Sequence, residues 1–293
     1  MDLKAYLSNR QKKIDRALDR YLPRENTRPV TIHKAMRYSL FAGGKRLRPI
    51  LTLAAAEACG GKVDAALPHA CAMECIHTYS LVHDDLPSMD NDDFRRGRPT
   101  CHKVFGDGIA VLAGDALLTV AFEILSHATP TRRYDLSVML RELAVASGSR
   151  KLIAGQVADL EAEGKKSTPA DLRFIHQNKT AAILTTSVRL GAMSANATAP
   201  ALAAITTFGR ALGLAFQVID DILDVTQTTE KLGKSAGKDL AAQKATYPAV
   251  IGLEQSRAEA RRLTRNAHHA LSIFGKKGET LHALANHLLE REY

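Results

Sequence analysis

The sequence has no tryptophan, and aromatic residues make up only 5% of its 293 residues. Sheet proteins draw heavily on aromatic and β-branched side chains, so this shortage argues against a sheet-rich fold. No alternation of polar and apolar residues is sustained along the chain, and we therefore predict no strand. Hydrophobic residues, with abundant alanine, still make up 45% of the chain, which is the composition of closely packed helices.

Cysteine is also scarce, and its four positions are Cys59, Cys71, Cys75 and Cys101. Their spacing matches neither a zinc motif nor a disulfide framework. We therefore predict buried thiols in a reducing, cytoplasmic compartment. The N-terminus has no apolar signal segment, and we find no run of about 18 apolar residues. These absences predict a soluble protein without stable membrane insertion.

The balance of charge is basic, with a net charge of +9 at pH 7. Basic proteins often bind nucleic acid, but this sequence has no basic tail and does not interleave lysine and arginine with aromatic residues. The excess positive charge therefore indicates small anionic ligands and no nucleic-acid partner.

Apolar periodicity predicts a chain of helices with a short one at its end. The longer ones cover 3–22, 31–42, 50–59, 65–86, 108–127, 131–161, 169–193, 199–225 and 245–274. Several are apolar nearly all round, as expected in the middle of a large bundle. Because the chain has no repeat, linker or low-complexity tract, we predict one all-α domain over residues 1–293.

The chemistry of the sequence is concentrated first in residues 83–98. Five carboxylates fall within ten positions, and Arg95, Arg96 and Arg98 follow them. Carboxylates suit Mg²⁺, which is usually shared between protein carboxylates and substrate phosphates, and arginines suit the phosphate oxygens. On this stretch alone, a solvated, charged turn after a helix is the alternative interpretation.

A second acidic cluster, Asp220, Asp221 and Asp224, is embedded in apolar sequence. Asp220 and Asp224 are four residues apart and therefore share one face of a helix. Carboxylates in such surroundings need a cationic partner, which is either a structural salt bridge or a metal ion. The following segment, 226–244, is rich in glycine and lysine and predicts a mobile flap beside this cluster.

In the first cluster, Pro87 separates Asp84 from Asp90, so the helix is expected to break and bring Asp90 round. The two clusters, each at the end of a buried helix, could then face each other across a cavity. Two or three Mg²⁺ ions between them would hold one diphosphate and draw charge from it as it leaves.

The turn Gly43-Gly44-Lys45-Arg46-Leu47-Arg48-Pro49 indicates a second anion site. Basic residues after two glycines can hold a phosphate through side chains and free backbone N–H groups, although the spacing is not that of a P-loop. A basic surface turn is the alternative. Four further polar residues stand in apolar helices, where each one alone is more often structural: His77, Lys179, Thr180 and Gln217.

Taken in order, these motifs resemble the trans-isoprenyl diphosphate synthases, and most closely the bacterial farnesyl diphosphate synthases. The matching motifs are Gly44-Lys45-Arg46-x-Arg48-Pro49, Asp84-Asp85-x-x-x-x-Asp90, Arg95-Arg96-Gly97 and Asp220-Asp221-x-x-Asp224. The match continues at Gly114-Asp115, Gly155-Gln156, Lys179-Thr180, Phe216-Gln217 and Lys244-Ala245-Thr246-Tyr247-Pro248. The resemblance implies an all-α homodimer around a deep central cavity that needs Mg²⁺ and acts on isoprenoid diphosphates.

The resemblance also implies roles for individual residues. Mg²⁺ and the allylic diphosphate would be bound by Asp84, Asp90 and Asp220, with Asp85, Asp221 and Asp224 in the same catalytic motifs. The allylic diphosphate would be held by Arg95, Lys179, Lys234 and Lys244, with Thr180 and Gln217 along the path of the allylic cation. Isopentenyl diphosphate would be held by Lys45, Arg48, His77 and Arg96. The family often closes a basic tail over this second diphosphate, whereas this chain ends Glu290-Arg291-Glu292-Tyr293.

Product length is expected to depend on Tyr79 and Ser80, about one helical turn, or roughly 5.4 Å, before Asp84. A bulky Tyr79 beside a small Ser80 would form the floor that the growing chain meets, which predicts the C15 product, farnesyl diphosphate. One alternative is a geranylgeranyl diphosphate synthase, whose product is C20. Less favoured are a terpene cyclase, which needs one diphosphate site, and a non-catalytic partner subunit, which should have lost an acidic cluster.

Overall fold

The computed structural model describes residues 2–226 and 246–289. The first eight helices are α1 (Leu3–Tyr21), α2 (Val30–Leu40), α3 (Leu47–Ala58), α4 (Val63–Asp84), α5 (Cys101–Phe105), α6 (Asp107–Ser126), α7 (Leu136–Ser147) and α8 (Leu152–Ala162). Then come α9 (Pro169–His176), a π-helical segment (Gln177–Ala181), α10 (Ala182–Ser194), α11 (Ala199–Thr226), α12 (Tyr247–Ile251), α13 (Leu253–Ala270), a 3₁₀ segment (Ser272–Gly278) and α14 (Glu279–Leu289). The prediction of an all-α fold is confirmed. Outside the described residues lie Lys234, Lys244, the predicted flap after Thr226, and the chain end Glu290-Arg291-Glu292-Tyr293.

The centre of the bundle is α4, which is buried on nearly every side. It packs against α3, α6 and α10, and its apolar side chains surround the axis as predicted. Helix α10 also packs against α3 and α11, while α11 packs against α13. This arrangement encloses the two helices that carry the acidic clusters, α4 and α11, within the bundle.

Side-chain caps fix the start of several helices. The Asp2 carboxylate accepts a hydrogen bond from Ala5 N at 3.0 Å at the start of α1. Thr168 and Asp171 form a reciprocal capping box at the start of α9. These bonds satisfy N–H groups that the first turn of a helix leaves without a partner.

Four predicted helices differ from the observed ones. The helix predicted over 131–161 is two helices, because Asp135 caps α7 through Val138 N and the chain breaks between Ser147 and Leu152. The helix predicted over 245–274 is interrupted at Gly252. Helix 65–86 ends early at Asp84, and helix 169–193 contains the π-helical segment.

The prediction that the chain has no strand is wrong at one short hairpin. Phe94–Arg95 and Arg98–Pro99 pair as two antiparallel strands, β1 and β2. The two turn residues, Arg96 and Gly97, have φ values of +54° and +75°, as a two-residue hairpin loop of this kind requires. Strands of two residues are too short for a period-2 pattern to appear in the sequence.

All four cysteines are free thiols, and three of them are buried, as predicted. Charged residues interrupt the apolar sequence of α6 and α11, but both helices still reach the length and mean hydropathy of membrane spans. Buried positions account for 44% of the apolar window in α6 and 56% of that in α11. Core helices of soluble proteins meet the same criterion, so length and composition here give only weak support for a span.

Candidate active site

The first acidic cluster lies where α4 ends and the chain turns back on itself. Asp90 N donates a hydrogen bond to the Asp84 carbonyl at 2.8 Å, which closes the turn around Pro87. The predicted break is confirmed, and it returns Asp90 to the end of α4. Burial raises the pKa of Asp84 to about 6, Lys179 opposes that shift, and Asp90 adds to it. The ionised Asp84 carboxylate is therefore in a place that favours a nearby cation.

Asp85 is buried and engages Arg95 in a close ion pair. Arg95 Nε lies 2.7 Å from each Asp85 carboxylate oxygen, and an Arg95 terminal nitrogen lies 2.5 Å from Oδ1. Burial raises the pKa of Asp85, and Arg95 opposes the shift. Asp85 was predicted to assist metal binding and Arg95 to bind a diphosphate. In the structure the two residues are paired with each other, and Asp85 fixes the orientation of Arg95.

Lys179 projects from the π-helical segment towards the same place. Its Nζ lies 2.6 Å from Asp159 Oδ2 in α8, and its charge acts on Asp84. Gly155 lets α8 approach, because a Cβ at that position would sit 2.2 Å from Lys179 N. Asp159 was not among the predicted site residues. The sequence feature that could have indicated Asp159 is its position, an acidic residue in an apolar helix about one turn after Gly155-Gln156.

A hydrogen bond connects this side of the site to the second acidic helix. Thr180 Oγ1 donates to Gln217 Oε1 at 2.8 Å, which joins the π-helical segment to α11. Gln217 precedes Asp220 by three residues and therefore lies on the same side of α11. Contacts and charge interactions thus run from Asp84 through Lys179 and Thr180 to Gln217, on the helix that carries the second cluster.

The three aspartates of the second cluster have different surroundings. Asp221 accepts a hydrogen bond from Tyr247 N at 2.9 Å, so it fixes the start of α12. Its Oδ2 lies 3.8 Å from His176 Nε2, and burial lowers the pKa of His176 to about 4, which leaves that imidazole neutral. Asp224 is 4% exposed, and its Oδ2 has no hydrogen-bond partner within the described residues.

The donor chemistry of the two clusters fits Mg²⁺. Carboxylate oxygens are the ligands that this ion takes. A buried carboxylate oxygen that no described residue contacts by a hydrogen bond, as at Asp224, is a place where a cation is favourable. Within 2–226 and 246–289, no three carboxylate, imidazole or thiol groups form a ready-made metal cluster. Mg²⁺ binding by Asp84, Asp90 and Asp220 therefore stays a prediction.

The residues predicted for the second diphosphate also come together. Burial lowers the pKa of His77 well below its ordinary value, and Arg48 and Arg96 lower it further, so the imidazole is neutral. Burial lowers the pKa of Arg48 to about 10, and the buried Nε of this residue lacks a partner among the described residues. Arg96 donates a hydrogen bond to the Gly43 carbonyl, which docks the hairpin on the basic turn. Lys45 is exposed on that turn.

Tyr79 is buried one turn below the first acidic cluster, with 5% of its surface exposed. Its hydroxyl donates to the Ser147 carbonyl at 3.3 Å, and its ring meets the edge of the His83 ring at a centroid distance of 5.8 Å. Tyr79 therefore spans from α4 to the end of α7. Ser80 is half-buried, and its hydroxyl donates to the His77 carbonyl at 2.9 Å.

The polyprenyl synthetase family model matches residues 29–282. The chain belongs to the polyprenyl synthetase family. Its resemblance to the trans-isoprenyl diphosphate synthases is thereby confirmed, and the protein is a prenyltransferase.

Individual family members are similar over almost the whole chain. A chloroplastic geranylgeranyl pyrophosphate synthase from Catharanthus roseus is 50% identical over 295 residues, which cover 99% of this chain and 82% of that protein. The structure of an FPP/GFPP synthase from Zymomonas mobilis is 35% identical with a TM-score of 0.85, covering 98% of this chain and 99% of that one. A geranylgeranyl pyrophosphate synthetase from Pyrococcus horikoshii is 31% identical with a TM-score of 0.91, covering 99% of both chains.

Proposed function

We propose that this prenyltransferase adds isopentenyl diphosphate to allylic diphosphates and that its main product is geranylgeranyl diphosphate (C20). The observation that carries the proposal is that two separate groups of basic residues meet at the hairpin. Arg95 and Lys179 accompany the aspartates, while Arg48, Arg96 and His77 form the second group. Each group suits one diphosphate, and the condensation needs two.

The same observations weigh against the other two classes of function. A terpene cyclase binds a single diphosphate substrate, and the second basic group would then have no role. A non-catalytic partner subunit would not need both acidic clusters, which are complete in this sequence.

In the proposed reaction, the carbon–oxygen bond of the allylic diphosphate breaks and the electron pair leaves with the diphosphate. Arg95 and Lys179 would hold the departing anion by charge-assisted hydrogen bonds. The π electrons of isopentenyl diphosphate form the new carbon–carbon bond. The resulting tertiary cation then loses a proton to the departing diphosphate, which gives the longer allylic diphosphate. The Thr180 hydroxyl and the Gln217 carbonyl would place fixed dipoles beside the allylic cation.

We propose two or three Mg²⁺ ions as the cofactor, held by Asp84, Asp90 and Asp220. When bound, they would neutralise the negative charge that develops on the leaving diphosphate. Asp224 Oδ2, which has no hydrogen-bond partner within residues 2–226 and 246–289, gives this side of the site further capacity for positive charge. Asp85 and Asp221, by contrast, would support the site through Arg95 and the Tyr247 backbone.

The C20 product is supported by the names of the Catharanthus and Pyrococcus relatives, and it replaces our expectation of C15 as the main proposal. Farnesyl diphosphate is kept as a second candidate because Tyr79 is bulky, buried and one turn below Asp84. Such a side chain would stop a growing tail early.

We further propose that the protein is a cytoplasmic homodimer, on the basis of the family resemblance and the reduced cysteines. Light scattering of the purified chain would measure its mass in solution. A monomeric mass would contradict the homodimer.

The function is tested by incubating the protein with labelled isopentenyl diphosphate, Mg²⁺ and, in turn, the C5, C10 and C15 allylic diphosphates. Chromatography of the products should show C20 from all three starters. Accumulation of C15, with no use of the C15 starter, would support the second candidate and reject the first. Cyclic hydrocarbons, or no elongation from any starter, would reject both.

A further inference from the structure

Arg46 lies inside the basic turn, but its side chain points into the helix bundle and away from solvent. Only 2% of its side chain is exposed, whereas its neighbour Lys45 is exposed. Its backbone is left-handed, with φ of +50°, immediately before α3 begins at Leu47. A residue with a Cβ in this conformation persists only where surrounding contacts hold it.

Three hydrogen bonds hold Arg46, and each leads to a different helix. Nε donates to Asp15 of α1 at 2.8 Å, one terminal nitrogen donates to Glu74 of α4 at 2.9 Å, and the other donates to the Leu40 carbonyl at the end of α2 at 2.8 Å. Burial acts to lower the pKa of Arg46, but Glu74 and Asp15 outweigh it, so the pKa is raised. The guanidinium is therefore a fixed cation that joins three helices to the basic turn.

Glu74 connects this buried pair to the second basic group. It is 1% exposed, and its Oε2 has no hydrogen-bond partner among the described residues. Its charge acts on Arg48 and on Arg96, both of which burial would otherwise drive further towards neutrality. His77 is on the same helix as Glu74, almost one turn later.

From this geometry we propose that Arg46 and Glu74 are positioning residues for the isopentenyl diphosphate site. Arg46 binds no substrate. It holds the turn in its left-handed bend so that Lys45 and Arg48 are presented to the diphosphate, and Glu74 anchors it to the helix that carries His77. The inference rests on the proposed function, since it assigns a role within that site.

The fork of the guanidinium is essential to this role. A lysine in place of Arg46 would keep the charge, but its single ammonium cannot reach three acceptors in three directions. Charge and position can therefore be separated by comparing Arg46→Lys with Arg46→Met. Asp15→Asn is a milder change that weakens one of the three contacts and leaves the buried pair with Glu74 intact.

The experiment measures the apparent KM for each substrate, kcat and thermal unfolding of the full chain. Arg46→Met should raise the KM for isopentenyl diphosphate at least tenfold, while the KM for the allylic substrate stays within twofold. In Arg46→Lys, the KM for isopentenyl diphosphate should still be at least fivefold above that of the wild-type protein. Asp15→Asn should show a two- to fivefold rise confined to isopentenyl diphosphate, and it serves as the test if Arg46→Met does not fold.

The matched control is Arg189→Met. Arg189 is also held by a two-pronged contact to a carboxylate on another helix, with Glu142 at 2.6 and 2.9 Å, and it lies outside both diphosphate groups. This variant should lose thermal stability without changing either KM.

Four results would overturn the inference: equal changes in both KM values, full rescue by Arg46→Lys, a fall in stability with both KM values unchanged, or a KM change in Arg189→Met like that in Arg46→Met. Failure of the wild-type protein to condense the two substrates would instead reject the proposed function. The two failures are therefore distinguishable.

Discussion

Arg95 and Arg96 are consecutive residues whose guanidinium groups contact opposite sides of the site. Arg95 is paired with Asp85 of the first acidic cluster, whereas Arg96 donates to the Gly43 carbonyl of the basic turn. Arg95 is the last residue of β1, whereas Arg96 is the first residue of the turn, with φ of +54°, so the two side chains leave the backbone in different directions. The hairpin therefore gives one arginine to each of the two proposed diphosphate sites.

Asp84→Ala and Asp220→Ala are each expected to lower kcat by about 100-fold or more without unfolding the protein. Interactions that stabilise charge developing in the transition state are worth about 3 kcal/mol or more apiece. Turnover at saturating Mg²⁺ is the measurement. Asp93→Ala is the control, since Asp93 belongs to the same acidic run but is exposed and paired with Lys103. More than a tenth of wild-type turnover in either site variant would count against the metal assignment.

Asp159→Asn tests the contact that sequence reasoning missed. Without the negative charge 2.6 Å from its Nζ, Lys179 is held less firmly towards the allylic site. We expect a KM for the allylic substrate raised about ten- to 150-fold, in line with hydrogen bonds to charged groups worth roughly 1.5–3 kcal/mol. The KM for isopentenyl diphosphate should not change. A rise of equal size for both substrates would mean that Asp159 only stabilises the fold.

The stability of the Mg²⁺-free protein should depend on pH through Asp84. Its pKa is raised in the folded protein from an ordinary 3.8 to about 6, so between these values the folded state binds more protons than the unfolded state. Unfolding free energy therefore falls as pH rises through this window. Asp84→Asn removes this titration. The unfolding free energy of the variant minus that of the wild-type protein should therefore rise by on the order of 1–3 kcal/mol from pH 4 to pH 7. Denaturant titrations in the presence of a metal chelator measure this difference. If the unfolding free energies of the two proteins changed with pH in parallel, the prediction would be wrong.

Tyr79→Ala should lengthen the product beyond that of the wild-type protein, because it removes the side chain that spans from α4 to Ser147. Stability should fall by at most about 3–5 kcal/mol, and by less if the growing chain occupies the new space. Product chromatography and thermal unfolding give both quantities. Tyr134→Ala is the control, since the Tyr134 hydroxyl also donates to a backbone carbonyl, that of Ala197, at 2.8 Å. An unchanged product pattern in Tyr79→Ala would remove Tyr79 as the floor.

Most of the helices could be predicted because an apolar period of 3.6 residues is a local signal. The break after Asp84 was predictable for the same reason, since Pro87 acts on its own neighbourhood. The hairpin at Phe94–Pro99 was not, because its strands are too short to show a pattern and its position depends on docking to Gly43.

The residues of the candidate site likewise divide into those that the sequence could predict and those that it could not. Motif spacing indicated Asp84 and Asp220, and the family resemblance indicated Lys179. Neither could indicate Asp159 or Glu74, which matter through contacts with residues distant in sequence. Nor could they show that Asp85 and Asp221, which stand beside the other aspartates in each motif, engage a side chain and a backbone N–H of the protein itself.

The π-helical segment Gln177–Ala181 places Lys179 and Thr180 at a change of helical phase. A π turn holds one residue more than an α turn, so the helix before it and the helix after it are offset by about 100°. Deleting a single residue here would restore a regular helix and rotate α9, with His176, away from its contacts with α12. Such a deletion would also separate Lys179 from Asp159 or Thr180 from Gln217. Across related proteins, the number of residues in this segment should therefore stay at five.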